Sequence, residues 1–457
     1  MNANEPIRLS KWTHLIQRNA VFATFHSLCL SLLFFEERYK SFFEELRLGT
    51  TLEHLRKIDS DADDIVNELR EQQLVVPVGY DDNTVLFNKQ KEYVYQPSLE
   101  TIFMLLTDVC NLICGYCFIK GNIPKQSQSG KVMSWDTAKE TIDMYFANLQ
   151  PTKFHKTIVF YGGEPLLMFP LLKQIISYIN DSYGDELAKH KIGLLLISNG
   201  TKITNKVADY LAKHPEITIC ISLDGCEETN DQKRIYADGK GTYQDITAGL
   251  EYLHSAGRKD INISATIDEH NVDRLDDLLT LHGKYQFQTV NFNLLLDTAE
   301  RTVDPSYTEH ATKRMLEYFE KAREIGLYED RIMRKVRAIS RGVLHPFDCR
   351  ASGAQLAISP DVSLGICHEG VGCKNFFFGK VSRDFVFADD PLVQEWGRRS
   401  PLTMQQCFNC PSIGLCGGGC AYSAFLRHGT IWAIDDKFCK HSLAVLEWII
   451  WDVYSRM

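Results

Sequence analysis

Three cysteines in one short stretch constrain this chain more than any other feature: Cys110, Cys114 and Cys117, in Leu-Thr-Asp-Val-Cys-Asn-Leu-Ile-Cys-Gly-Tyr-Cys-Phe. The run follows Thr101 to Thr107, an apolar segment that reads as a strand, so the fold must present three thiolates on one loop at a strand end. A four-iron, four-sulfur (4Fe-4S) cluster takes four ligands, so three cysteines would hold one and leave an iron open. The competing reading is a zinc knuckle one ligand short. Zinc knuckles favour paired Cys-x-x-Cys units, and no fourth ligand lies nearby in the sequence.

An open iron can hold a small chelating ligand, and a cluster that donates one electron can reduce what it holds, which points to radical chemistry. With 457 residues and 44% hydrophobic side chains, the chain can build two or three domains with sizeable cores. A net charge of −9 gives no general attraction to nucleic acid or anionic membrane, so small molecules or peptides are the expected partners. The longest apolar run, Val21 to Phe35, contains His26 and is too short to cross a bilayer. The start has no apolar stretch behind a basic head, so a cytoplasmic location is expected, and fourteen cysteines there serve as ligands or thiols.

Between the first cysteine group and a second in the last quarter, short β-branched segments alternate with amphipathic ones. This is the pattern of a parallel sheet with crossover helices. Six strands are expected: Thr101 to Thr107, Thr157 to Tyr161, Gly193 to Ser198, Thr218 to Leu223, Asn262 to Ile267 and Val290 to Leu295. Helices are expected over Trp135 to Ala147, Thr242 to His254 and Val272 to Tyr285. The fold class is therefore α/β, a partial six-unit barrel whose chemistry lies at the carboxyl ends of its strands. Those ends read Tyr161-Gly162-Gly163-Glu164-Pro165, Ser198-Asn199-Gly200-Thr201 and Ser222-Leu223-Asp224-Gly225. Glycine lets backbone approach a ligand, and Glu164, Asn199, Ser222 and Asp224 can bind amino and hydroxyl groups.

Cys-x-x-x-Cys-x-x-Cys with Tyr116 before its last cysteine resembles the signature of radical S-adenosylmethionine (SAM) enzymes. Gly-Gly-Glu-Pro, Asn-Gly-Thr and Ser-Leu-Asp-Gly resemble the strand ends of their peptide-modifying members, over roughly residues 98 to 300. The resemblance implies a SAM-binding cluster on Cys110, Cys114 and Cys117. It also implies that Gly162, Gly163 and Glu164 hold the methionyl amino group, that Asn199 and Ser222 face the ribose, and that Arg234 pairs with the SAM carboxylate.

The second group, Cys407-x-x-Cys410-x5-Cys416-x3-Cys420 with Cys439 behind and Cys349 and Cys367 ahead, resembles the SPASM extension, which carries two auxiliary 4Fe-4S clusters. The family's pairing implies one cluster on Cys407, Cys410, Cys416 and Cys439, and another on Cys349, Cys367 and Cys420. The latter lacks a fourth cysteine, which leaves either an open iron for the substrate or a place for His345, His368 or Cys373. The family's glycine five residues before Cys367 is replaced by Val362, so that loop is expected to turn differently.

Residues 1–95 lie outside both motifs. Ile7 to Ile16 and Ala20 to Phe34 suit strands around a turn at Arg18-Asn19. Three amphipathic stretches, Tyr39 to Leu46, Thr51 to Lys57 and Asp61 to Gln72, precede a strand at Leu74-Val75-Val76. This looks like the winged-helix recognition element of peptide maturases, which would bind a leader peptide by strand addition; the alternative is a cap over the barrel mouth. The expected domains are 1–95 (recognition), 96–300 (radical SAM barrel), 301–345 (helical linker) and 346–457 (SPASM).

The resemblance implies a maturase of a ribosomally made precursor peptide, with a flavodoxin or ferredoxin as electron donor. A 5′-deoxyadenosyl radical would take hydrogen from the peptide, and a cysteine sulfur would close a thioether; a carbon–carbon crosslink or an epimerisation would use the same front end. The nearest alternative is a sulfatase-maturing enzyme. In that group an aspartate, thought to be the base, follows the cysteine matching Cys367, where this chain has His368. The alternative of another class is a non-catalytic zinc-binding scaffold.

Overall fold

The structure, a computed structural model, describes all residues except 1–3, 95–96, 122–129, 152–154 and 299–300. The boundaries expected at 95/96 and 300/301 fall on residues outside the described set. The amino-terminal strands are β1 (Ile7–Leu9), β2 (Thr13–Arg18), β3 (Val21–His26), β4 (Leu32–Glu36) and β5 (Val75–Pro77). β2, β3 and β4 form an antiparallel meander, whose first turn carries Asn19 at φ 55°, and β1 pairs antiparallel with β5. Helices Lys40–Leu48, Leu52–Ile58 and Ala62–Glu71 connect β4 to β5.

Strand period decides how this unit docks. Phe22 on one face of β3 packs with Phe42, Phe43 and Val66 of those helices. Ala23 and Phe25 on the other face pack with Leu446, Ile450 and Trp451 of the last helix, Asp436–Tyr454. The amino-terminal sheet is thus wedged against the helix that bears Cys439. Among the described residues of this unit, none lines the cavity at the strand ends.

The six expected strands form as β6 (Thr101–Thr107), β7 (Lys156–Gly162), β8 (Ile192–Ser198), β9 (Ile217–Ser222), β10 (Ile261–Ile267) and β11 (Thr289–Leu294). All neighbours are parallel and consecutive in space. Helices cover them, which is why β6 and β7 are apolar almost throughout. Helix Trp135–Ala147 starts where Ser134 accepts from Thr137 N, and helix Tyr243–Ser255 lies one residue from its expected bounds. The expected helix Val272 to Tyr285 splits into a short turn, Val272–Arg274, and helix Asp277–Tyr285.

The sheet does not stop at six strands. β12 (Tyr328–Glu329) joins the β11 edge. At the other edge β13 (Gln355–Ile358) pairs parallel with β6 and leads into β14 (Ser363–Gly365) and β15 (Phe377–Lys380). The cysteine-rich segment is therefore hydrogen-bonded to the strand that delivers the first cysteine group. Val362 in its loop sits at φ 63°, in the left-handed region that glycine enters most readily. For a β-branched residue this costs roughly 1–2 kcal/mol. The bond from Val362 N to Ser359 O and the carboxylate of Asp361, gripped by Lys131 and Lys374, hold the turn. No helix among the described residues is long and apolar enough to cross a membrane.

Candidate active site and auxiliary cysteine sites

After β6 the chain turns at Thr107, whose hydroxyl accepts from Val109 N at 3.0 Å, and enters the Cys110 loop. The segment leaving β7 runs against it: Gly163 N donates to Thr107 O and Glu164 N to Val109 O. A Cβ on Gly162 would lie 2.3 Å from Thr107 O, and one on Gly163 2.1 Å from Val109 O, so only glycine permits this approach. Cys110 Sγ accepts from Leu112 N at 3.4 Å and from Asn199 Nδ2 at 3.7 Å.

A cavity of about 330 Å³ opens there, lined by Cys110, Cys114 and Cys117. Tyr116, Gly162, Gly163, Asn199, Ser222 and Arg234 share its wall, so the structure gathers these sequence candidates around one space. Glu164 stands outside the lining. Its carboxylate accepts from Leu166 N, Ser198 Oγ and Asn199 N at 2.8–2.9 Å and ties the end of β7 to the end of β8. Burial holds its pKa up against those donors.

Arg234 is 6% exposed. Its guanidinium donates to Tyr116 Oη at 2.7 Å, and Tyr116 Oη donates in turn to Asp224. Burial opposes the charge on Arg234, but Tyr116, Cys114 and Asp224 outweigh it and hold the pKa well above the ordinary arginine value. Its Nε–H has no partner. A buried guanidinium with a donor unspent, in the wall of a cavity, fits a ligand carboxylate. Asp224, whose Oδ1 accepts from Thr266 N at 2.9 Å, anchors this chain of bonds.

The lining also includes four aromatic rings: Phe103, Phe118, Tyr161 and His368. The His368 ring stacks on Phe103 at 4.1 Å and meets Tyr161 edge-on at 5.4 Å. Burial lowers its pKa to about 4, so the imidazole is neutral near pH 7, and its Nδ1 has no hydrogen-bond partner. Glu369 lines the same cavity, its pKa pushed up by burial to about 7. Sequence reasoning missed Glu369; its signal was an acidic side chain two residues after a candidate cluster cysteine.

Cys407, Cys410, Cys416 and Cys439 line one small cavity with Pro401, Met404, Ile413 and Asp435. The turn between Cys416 and Cys420 uses Gly417, Gly418 and Gly419 at φ 72°, 83° and 65°. Burial and the neighbouring thiols push Cys407 up to about 12 and Cys439 to about 11, a penalty that metal ligation relieves. Burial raises Cys349, Cys367 and Cys420 as well, and the ionisable side chain felt by all three is Glu369. Of the fourth-ligand candidates, His345 faces Asp348 at 3.9 Å and His368 stacks on Phe103. Among the described residues no three His, Cys, Asp or Glu side chains converge on a single metal-ion position.

Residues 104–282 match the Radical SAM superfamily. The chain is an enzyme that carries a radical SAM domain. Over 96% of its length it is similar to the radical SAM cyclopropyl synthase TigE of Paramaledivibacter caminithermalis, with 23% identity and 94% of that protein covered. It is 27% identical to the mycofactocin maturase MftC of Mycolicibacterium smegmatis, over 70% of this chain and 77% of that one. Its fold is shared with anSMEcpe, solved with bound AdoMet, at TM-score 0.64 and 17% identity over 79% of this chain and 96% of that one. It is shared also with Streptococcus suis SuiB bound to its precursor peptide SuiA, at TM-score 0.55 and 15% identity over 95% and 99% of the two chains.

Proposed function

We propose that this enzyme modifies a ribosomally made precursor peptide at carbon, forming a thioether from a peptide cysteine. The observation that carries this reading is one cavity bounded by both Cys110, Cys114 and Cys117 and the His368–Glu369 turn that follows Cys367. Arg234 would hold the SAM carboxylate, backbone at Gly162 and Gly163 its amino group, and Asn199 and Ser222 its ribose. When bound, SAM on a cluster held by Cys110, Cys114 and Cys117 would supply hydrogen-atom abstraction from a peptide carbon, and clusters on the second cysteine group would supply an acceptor for the electron left when a thiolate bonds to that carbon. The neutral imidazole of His368 takes the thiol proton. Bonding carbon to sulfur thus removes one hydrogen atom, one proton and one electron. The three-cysteine site of Cys349, Cys367 and Cys420 would receive the substrate sulfur.

Residues 1–95 act as the leader-binding unit, with edge strand β2 as the site of strand addition, and a flavodoxin or ferredoxin supplies electrons. The domain limits 96–300, 301–345 and 346–457 belong to this proposal. A second reading, ring closure between carbons, is favoured by the nearly full-length match to a cyclopropyl synthase. A sulfatase-maturing role fits less well, because His368 replaces the aspartate of that group and its solved fold leaves about a fifth of this chain uncovered. The test is anaerobic turnover with SAM, reductant and a cysteine-containing precursor peptide, read by mass spectrometry. Loss of two hydrogens with disappearance of a free thiol supports the thioether; the same mass loss with the thiol retained supports ring closure.

A further inference from the structure

Arg399 is 0% exposed, and its guanidinium donates to three backbone carbonyls: Ile431 O, Gly419 O at 3.3 Å and Ala433 O at 3.2 Å. None of these acceptors is charged. The carboxylate within its field, Asp435, is committed to Cys420 N at 3.0 Å and Phe438 N at 3.4 Å. Lys335 repeats the arrangement. It is 2% exposed, and its ammonium donates to Leu415 O and Ser442 Oγ, both at 3.2 Å. Both cations reach the wall of one site: Leu415 precedes Cys416, and a Cβ on Gly418, which lines the cavity of Cys407, Cys410, Cys416 and Cys439, would lie 3.2 Å from Arg399 Nη1. Asp348, the carboxylate in reach of Lys335, is shared with His345, Arg334 and Arg331.

A cation taken out of water, bonded to neutral acceptors and near a single carboxylate that other groups share, is more favourable when a second anion lies close by. A 4Fe-4S cluster on four thiolates is such an anion, and it gains a further negative charge on reduction. Nearby positive charge therefore favours the reduced state, because net charge and surroundings set a cluster's potential. We propose that Arg399 and Lys335 are the counter-cations of the auxiliary cluster on Cys407, Cys410, Cys416 and Cys439, and that they raise its reduction potential. They are positioning residues, and the inference rests on the auxiliary-cluster reading above.

The experiment is an EPR-monitored redox titration of the full-length, anaerobically reconstituted chain, in a background where Cys110, Cys114 and Cys117 are alanine so that only auxiliary signals remain. Removing charge in Arg399→Gln or Lys335→Met lowers the reduced-to-oxidised ratio of one auxiliary cluster at least tenfold at fixed potential, a shift of 59 mV for one electron. Arg399→Lys keeps the charge and stays close to the parent, with iron content unchanged in all three. Unaltered titrations in Arg399→Gln and Lys335→Met overturn the proposal. So does equal loss of iron in Arg399→Lys and Arg399→Gln, which makes Arg399 a pin for the carbonyls and not a charge. If the background protein holds no auxiliary cluster at all, the cluster reading itself fails before any variant is compared.

Discussion

The two cysteine regions are built to opposite plans. At the barrel end, Cys110, Cys114 and Cys117 border about 330 Å³ of space, with glycine backbone on one side and a buried arginine whose Nε–H is unspent on the other. In the last quarter, Cys407, Cys410, Cys416 and Cys439 ring a tight cavity, and the carbonyls beside Cys416 and Cys420 are bonded by buried cations. The first region has room and free donors for a ligand that comes and goes; the second is shaped to retain what it binds. The three-cysteine set of Cys349, Cys367 and Cys420 stands between the plans, because His368 and Glu369, which follow Cys367, line the first cavity.

The sharpest way to break this comparison is Cys110→Ala. Formation of 5′-deoxyadenosine should fall to background and iron by about four per chain, while the auxiliary irons remain. Loss of all iron would mean that the regions are not independent. His368→Gln should lower peptide product about 100-fold, the scale of general-base catalysis, with SAM cleavage retained. An equal fall in both would make His368 part of the SAM site. Arg234→Met should weaken SAM binding by about 2 kcal/mol, roughly thirtyfold by calorimetry, without loss of iron.

A further expected effect belongs to neither region. His26 in β3 is buried, and burial lowers its pKa from 6.5 to about 4, so it is neutral in the folded chain. Its stabilising contribution is complete above 6.5 and is lost as pH falls toward 4, because only the unfolded chain then takes up the proton. About 2 kcal/mol should be gone by about pH 5. Hydrogen exchange of β2 and β3 should rise between pH 7 and 5 in the parent, and this rise should shrink in His26→Asn. An unchanged rise assigns the acid sensitivity elsewhere.

Most of what positions the first region was legible in the sequence, because strand period, glycine and thiol spacing are local signals. The ends of β6 to β11 lie within a residue or two of their expected positions; Gly162 and Gly163 were expected to admit a ligand, and the structure adds that they admit the backbone of Thr107 and Val109. What escaped notice depends on distant packing. Glu164 reads as a ligand in sequence, yet its three donors come from residues 166, 198 and 199. Arg399 and Lys335 carry no local signal, since nothing in the sequence around them says that they will be buried. Val362 adopts a glycine's conformation that no propensity would assign it, held by contacts from Lys131 and Lys374.

The measurement that bears most directly on this account is iron, sulfide and zinc content of the anaerobically reconstituted chain beside its Cys110→Ala, Cys114→Ala, Cys117→Ala triple variant, with 5′-deoxyadenosine followed after addition of SAM and dithionite. The account predicts about twelve irons and nucleoside formation in the parent, and about eight irons with no nucleoside in the variant. Zinc in place of iron, or cleavage of SAM by the variant, would contradict it.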